Sequence, residues 1–479
     1  MSDRAVTLVL TILVALGAAL RLYQLDSGLW YDEIATLINS VRPDLLQIVT
    51  QYPGNNDHTL YSVLAHSSLV VFGEHAWSIR LPAVVFGIAS IPMLYLLGTA
   101  VTSRLESLLA ATILTVSYHH VWFSQNARGY TALLFWVLLA TFLLIQWLSH
   151  KKNNLMIAYA VVAALGSYTH LTMVFVVICH ALICAWLLFV QKSSSDDLPD
   201  WRYGAAGFVA GGIITILLYA PMLQDMQEFF TDIPEMKKVE TPFWALWETL
   251  RGLRVGFGPS SVVAVAAVVF GAGLLSYFKQ QRAVFYLFVL PVPVTVLLAV
   301  AMGRPIFPRF VFFSVGFGLL IAVRGAAVIG AWLAQRVGGT ISPQRVGMAM
   351  ALLLTIGAIG FSARSLPYGY RYPKQDFGQA VEFVRQNRMQ GDQVAVVGTT
   401  AAIPFIDYLG QPWQRVDRAE QLSGLRSGGR EVLLIYTFPA YIQVRTPELW
   451  KMIQSDCKRL KSFHGTIAGG DIHVLRCSP

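Results

Sequence analysis

The sequence predicts an all-α polytopic membrane protein carrying a small α/β domain at its C-terminal end. Three observations lead there. The 479 residues are 55% hydrophobic and 13% charged, about half the charge of a soluble globular chain. Apolar runs of membrane-spanning length recur as far as residue 362 and then stop. Beyond that point, short β-like runs alternate with amphipathic helical spacing. The formal charge of +9 suits the basic cytoplasmic loops of a polytopic chain. It is not read as a nucleic-acid surface, and no nucleic-acid partner is expected.

The apolar runs fall at 5–22, 79–99, 106–123, 127–148, 155–168, 170–190, 204–222, 260–277, 283–302, 309–333 and 344–362. That makes about eleven helices by hydropathy, the one at 155–168 being short. No small-residue cleavage site follows the first run, which reads as a retained helix rather than a leader. With the N-terminus on the cytoplasmic side, Arg104, Lys151-Lys152, Lys192 to Arg202, Lys279 to Arg282 and Arg336 to Arg345 all lie inside. Each of these loops is basic, which is the positive-inside pattern. The segments 23–78, 124–128, 168–170, 223–259 and 303–308, and the tail from 363, are then external.

The first external loop begins with Gly28-Leu-Trp-Tyr-Asp-Glu-Ile-Ala35, which sets Asp32 and Glu33 where the first spanning helix ends. Ile34, Leu37, Ile38 and Val41 form one helical stripe, and after Pro43 the residue Asp44 caps a second short helix with Leu45, Ile48 and Val49. Neither is long enough to span, and both are expected to lie flat on the membrane surface. Asp32 alone reads equally as an N-cap and as a functional acid. Further polar groups at the same depth favour the second reading. Asp57-His58 opens another external helix with Tyr61, and Gln125-Asn-Ala-Arg-Gly-Tyr130 joins two spans through almost no loop. Arg128 in that turn is costly unless paired or wet, although snorkelling to headgroups would also serve it. Ser167-Tyr-Thr-His170 and Arg304-Pro-Ile-Phe-Pro-Arg309 add Tyr168, His170 and two cations on the same side. Carboxylates and cations gathered at one face suit chemistry on a lipid-linked anion at the membrane–water boundary. Arg holds phosphate through a fork of donors, and a carboxylate takes a proton from an attacking hydroxyl.

In the tail, Asp376 to Arg388 and Thr446 to Asp456 read as helices, and 393–397 and 431–436 as buried strands. Two last runs, near Lys458–Phe463 and Ile472–Leu475, flank a Gly-Gly turn and pair as a hairpin. Such a hairpin brings Cys457 and Cys477 together, and a disulfide between them is expected in an oxidising compartment. Cys179 and Cys184 lie in an apolar run and read as packing residues.

Several of these motifs, in this order and spacing, resemble the bacterial GT-C glycosyltransferases related to protein O-mannosyltransferases and to the lipid A aminoarabinose transferase. The likeness rests on Asp32-Glu33, on Asp57-His58-Thr-Leu-Tyr61, on Glu74-His-Ala-Trp-Ser-Ile-Arg-Leu-Pro82, on Gln125 to Tyr130, on Tyr168-Thr-His170 and on Pro308-Arg-Phe310. It covers most of residues 5–362 and implies a catalytic membrane domain over 1–362, with an external domain over 363–479. It also implies a multi-pass protein of the bacterial cytoplasmic membrane. The implied activity is inverting transfer of a sugar from a polyprenyl-phosphate donor to a glycan, glycolipid or protein hydroxyl outside the membrane. Asp32 would be the general base and Glu33 an orienting partner. His58 and Arg128 would bind the donor phosphate, with Arg309 a third candidate. Asp57, Tyr61, Gln125, Tyr130, Tyr168 and His170 would line the pocket. Thr59 stands where the family often has Pro, and Asn126 where a second acid is common. The missing acid removes a ligand that a divalent cation would want, so neither a metal nor another cofactor is expected. Two rival readings remain open at this point: a glycan ligase or polymerase with a diphosphate donor, and a transporter or flippase. A transporter would place ionisable groups near the midplane.

Overall fold

The computed structural model of the protein describes residues 2–54, 57–190, 199–231, 241–257, 260–337, 340–427 and 429–478. The basic loop expected from Lys192, and the middle of the external loop expected at 223–259, lie largely outside them. Every apolar run identified in the sequence is helical. Among the described residues nine helices are long and apolar enough to cross a bilayer: Asp3–Leu22, Ala76–Val101, Tyr130–His150, Thr172–Phe189, Trp201–Thr231, Ser261–Gln280, Arg282–Ala301, Pro308–Val337 and Pro343–Arg371. The other two runs are shorter. Asn154–Thr169 has 16 residues, a rise of about 24 Å against a hydrocarbon core of about 30 Å. The run at 106–123 divides into Arg104–Val116 and Tyr118–Ser124.

That division has a visible cause. Ser117 leaves the helical conformation, and its hydroxyl caps the next helix at His120 N. The carbonyls of Leu114 and Thr115, orphaned by the break, accept from the buried guanidinium of Arg21. Arg21 also donates to Gly17 O at 2.8 Å and to Ser124 Oγ at 3.2 Å, and lies 2.6 Å from His120 Nδ1. A cation at a helix carboxyl end meets both the unpaired carbonyls and the negative end of the dipole. Elsewhere the helices pack through small residues. Gly273 meets Ile321 O, Gly325 meets Val269 O and Gly347 meets Ala327 O, each too closely for any side chain. Lipid offers no hydrophobic drive between helices, so close backbone approach replaces it.

In the first loop, helix Tyr31–Thr36 continues through a π-helical turn, Leu37–Val41. After Pro43, Asp44 Oδ1 accepts from Gln47 N at 2.9 Å and caps Leu45–Thr50. The expected surface-lying geometry does not hold for the first of these helices. Ile34, Leu37 and Val41 are buried within the protein, among Tyr61, Ala65, Ile79 and Ala83 and against Phe377, Ala380 and Phe405 of the tail. Protein rather than lipid covers the stripe, and each such side chain contributes about 1.5–3 kcal/mol on burial. Only the second helix keeps Leu45 and Leu46 exposed.

Helix Pro343–Arg371 runs on past residue 362, and the tail then folds around a five-stranded sheet. Its strands are β1 (Gln393–Val397), β2 (Gln414–Val416), β3 (Val432–Tyr436), β4 (Cys457–Phe463) and β5 (Ile472–Cys477), in the order β2-β1-β3-β5-β4. β1 is parallel to both β2 and β3, whereas β5 is antiparallel to both β3 and β4. Alternate residues face two cores. Val394, Val396, Leu433, Ile435 and Val474 face helix Phe377–Asn387 and the first loop. Ala395, Val397, Leu434 and Leu475 face helices Ala419–Arg426 and Pro447–Asp456. The short strand β2 and helices Ala419–Arg426 and Pro439–Arg445 were not anticipated from the sequence. In the β4–β5 hairpin Cys457 stands opposite Cys477, and the two are disulfide-bonded. Cys179 and Cys184 are buried free thiols.

Candidate active site

Neighbouring positions on a helix point about 100° apart, so Asp32 and Glu33 face different surroundings. Glu33 is fully buried. Its Oε1 accepts from Arg80 Nε and from Ala127 N, both at 2.7 Å, and its Oε2 accepts from Arg80 Nη2 at 2.7 Å. Trp30 N and Lys374 Nζ lie 3.4 Å from the same Oε2. Arg80 spends its remaining donors on the carbonyls of Leu25, Ser27 and Gly28. Burial alone would raise the Glu33 carboxyl. Arg80, Lys374 and the hydrogen bonds outweigh it and hold the group down at about 2. Burial pushes Lys374 down to about 7, against the pull of Glu33. Glu33 is therefore held by protein groups on all sides, with every lone pair already used.

Asp32 is different. Its Oδ2 lies 3.6 Å from Arg128 Nη1 and 3.6 Å from Arg309 Nη2 and makes no hydrogen bond among the described residues. Arg128 comes from the turn before Tyr130–His150, and Arg309 from the 3₁₀ segment Pro308–Ser314. Arg309 lies over the Phe307 ring at 4.0 Å. Arg128 Nη2 donates to His58 Nε2 at 3.0 Å and to Tyr130 Oη at 3.4 Å. Because a guanidinium only donates, this assigns the His58 proton to Nδ1. Burial, then Arg128, His170 and Arg309, hold His58 well below the usual histidine range. His170, whose ring is 4.7 Å from that of His58, accepts from Thr172 N at 3.1 Å. Burial and the same two arginines push it down to about 3. Both imidazoles are thus neutral. Among the described residues the cluster sets two fixed cations against the Asp32 carboxylate, with the buried Asp57 also within range of Arg128. His58 serves Arg128 as an acceptor, so it orients a guanidinium and adds no charge of its own.

Tyr130 lies in this cluster, 5.1 Å from His58 and 5.6 Å from His170. Three other expected pocket residues are used elsewhere. Tyr61 is fully buried and ties helix Thr59–Phe72 to Ile79 O. Gln125 Nε2 donates to the carbonyls of Arg21 and Tyr23, pinning the end of the first helix. Tyr168 packs edge-on against Tyr219 at 5.2 Å. Their polar atoms or ring faces are engaged in these contacts. Asp57 accepts from Thr59 Oγ1 at 2.8 Å, and burial pushes its carboxyl up to about 7 against Thr59, His58 N and Arg128. The folded state therefore binds a proton that the unfolded chain, with an ordinary Asp near about 3.9, releases earlier. Asp57 costs stability as pH rises through this window. Asp57→Asn is expected to raise the melting temperature at pH 8 and to change it little at pH 5, as read by thermal unfolding in detergent.

Sequence reasoning passed over four positioning residues. Arg80 stood inside an apolar span, where an ionisable group is itself a signal, and Arg21 offered the same cue. Lys374 and Gln375 carried none, because their partners in the first loop and at Gln125 lie more than 200 residues away.

Nine helices of spanning length among the described residues, a first loop bearing the acid, and arginines converging on it from later loops make up a polytopic membrane protein with the GT-C fold. The family model described as dolichyl-phosphate-mannose-protein mannosyltransferase matches residues 59–221. A curated protein of Bacillus subtilis (strain 168), "Putative mannosyltransferase YkcB", is 25% identical over 206 residues, which is 43% of this chain and 27% of that protein. The match thus spans little more than a quarter of that relative. Among solved structures, ArnT from Cupriavidus metallidurans in the apo state aligns at TM-score 0.54 and 12% identity, over 98% of both chains. ArnT bound to undecaprenyl phosphate gives 0.53 at 11%, over 97% of both. The Archaeoglobus fulgidus oligosaccharyltransferase tethered to an acceptor peptide gives 0.52 at 12%, over 98% of this chain and 74% of that one. At such identities the likeness is one of fold.

Proposed function

We propose that the protein is an inverting glycosyltransferase that takes a sugar from a polyprenyl-phosphate donor and passes it to an acceptor hydroxyl at the extracytoplasmic face. The observation that carries this reading is the approach of two guanidinium groups, from separate segments, to one oxygen of Asp32 at 3.6 Å each. An incoming phosphate competes with Asp32 for both arginines, and ArnT, which shares the fold, has been solved with undecaprenyl phosphate bound. With the phosphate on the arginines, the carboxylate is released to act as a base. The acceptor O–H gives its proton to Asp32 and its oxygen bonds the anomeric carbon. The bond from that carbon to the phosphate oxygen breaks on the opposite side, so a single displacement inverts the centre. Negative charge grows on the departing polyprenyl phosphate, and Arg128 and Arg309 stabilise it more in the transition state than before. Arg128 is held for this by His58 and Tyr130.

The positive-inside pattern supports a site and tail on the outer face, and a disulfide in the tail suits an oxidising compartment. The test is chemical analysis of the envelope of cells lacking the protein. One sugar is expected to be missing from a glycan, glycolipid or glycoprotein, and to return with the wild-type chain but not with Asp32→Asn. An unaltered envelope, or an export defect that Asp32→Asn repairs, would overturn the reading in favour of transport.

A further inference from the structure

We propose that Gln375 is a positioning residue for Asp32, so that the external domain is a working part of the catalytic apparatus instead of a cover over it. The inference rests on the reading of Asp32 as the base. Helix Tyr31–Thr36, with the π-helical turn Leu37–Val41 that continues it, has eleven residues, too few to be stable on its own, so its pose is imposed from outside. Its first amide, Tyr31 N, immediately before Asp32, donates to Gln375 Oε1 at 2.9 Å. Gln375 Nε2 donates in turn to Gly470 O at 2.8 Å and to Thr437 Oγ1 at 3.1 Å. Thr437 Oγ1 itself donates to Gly470 O at 3.0 Å. The amide is buried, and it bridges the acid-bearing helix to the end of β3 and the turn before β5.

The preceding residue works on the other flank. Lys374 Nζ donates to Gln125 O at 2.6 Å and lies 3.4 Å from Glu33 Oε2. Two consecutive residues at the head of the tail therefore grip positions 31 and 33, leaving 32 between them. A third contact joins the same parts. Phe438 adopts φ 51, a backbone region rare for a bulky side chain, and sets its ring 5.7 Å from that of Tyr31. Asp32 makes no hydrogen bond of its own to fix its pose among the described residues, so the carboxylate inherits its place from the backbone that Gln375 holds. A general base must come within about 2.6–3.2 Å of the proton it takes, and a displacement of about 1 Å costs up to about a hundredfold in rate. Gln375's hydrogen bonds among the described residues go to Tyr31, Thr437 and Gly470 rather than to the arginines, so donor binding is separable from it.

The full chain is purified in lipid nanodiscs as wild type, Gln375→Ala and Gln375→Glu. Undecaprenyl phosphate is the binding probe, and transfer is followed in membranes holding each variant at equal abundance. Gln375→Ala is expected to slow transfer by about tenfold to a hundredfold, with undecaprenyl phosphate affinity within about twofold of wild type, since the arginines are untouched. Gln375→Glu distinguishes positioning from simple loss of packing. Protonated, Glu accepts from Tyr31 N and donates to Gly470 O; ionised, it sets a negative oxygen against that carbonyl. Its transfer rate relative to wild type is expected to rise as pH falls from about 8 to about 6. Wild-type rates in both variants, or loss of probe binding in step with rate, would overturn the inference. If Asp32→Asn keeps full activity, the base reading fails and this inference falls with it. If Asp32→Asn is inactive while both Gln375 variants run at wild-type rate, only the positioning role fails. Should Gln375→Ala not fold, the pH profile of Gln375→Glu decides.

Discussion

Asp32→Asn is expected to slow glycosyl transfer by about 10²–10⁴-fold, the usual worth of a positioned general base, while the protein still folds and reaches the membrane. The amide has the shape of the carboxylate but cannot take a proton. Asp32 has no hydrogen-bond partner among the described residues that the change would orphan. Its two ion-pair neighbours, Arg128 and Arg309, both stand 3.6 Å away. The check is the initial transfer rate in membranes, with abundance and melting temperature measured on the same preparations. A rate within about tenfold of wild type would remove Asp32 from the chemistry.

The adjacent acid is expected to fail in the opposite way. Glu33→Ala leaves Arg80 buried with both ion-pair hydrogen bonds gone, together with an unpaired Ala127 amide. Removing one partner of a buried pair costs about 3–5 kcal/mol, a large share of any domain's stability. The expected result is a sharp fall in melting temperature and in yield of folded protein, before activity is measured. Arg80→Gln should match it, because its guanidinium also closes the loop at Leu25, Ser27 and Gly28. In the double variant Glu33→Met/Arg80→Met part of the loss should return, since an apolar pair leaves no naked charge. It should not all return, because those three carbonyls stay unpaired.

The contrast explains why the loop carries two acids in succession: one is fixed by protein, and the other is left facing cations. That division was not legible in the sequence. Asp32, His58 and Arg128 were readable as a group because each breaks an otherwise apolar or capping pattern at one depth, and the structure does bring them together. Tyr61 and Gln125 share those stretches with them, yet they tie helices together. Sequence shows that a polar group exists at a helix end but not which way it turns. The strands of the tail were readable where apolar runs were unbroken, as at Gln393–Val397. The three-residue strand β2, with two exposed residues, offers no such run. The grip of Lys374 and Gln375 on the first loop depends on how the chain returns after the membrane helices, and no local pattern records that.

The most direct test of the central claim is the affinity of purified protein in lipid nanodiscs for undecaprenyl phosphate. If Asp32, Arg128 and Arg309 form one anion site, Arg128→Gln and Arg309→Gln each weaken binding by about tenfold or more. Asp32→Asn, by contrast, binds at least as tightly as wild type, because it removes the anion competing for both guanidinium groups. Binding that ignores both arginine substitutions, or that disappears with Asp32→Asn, would contradict the account.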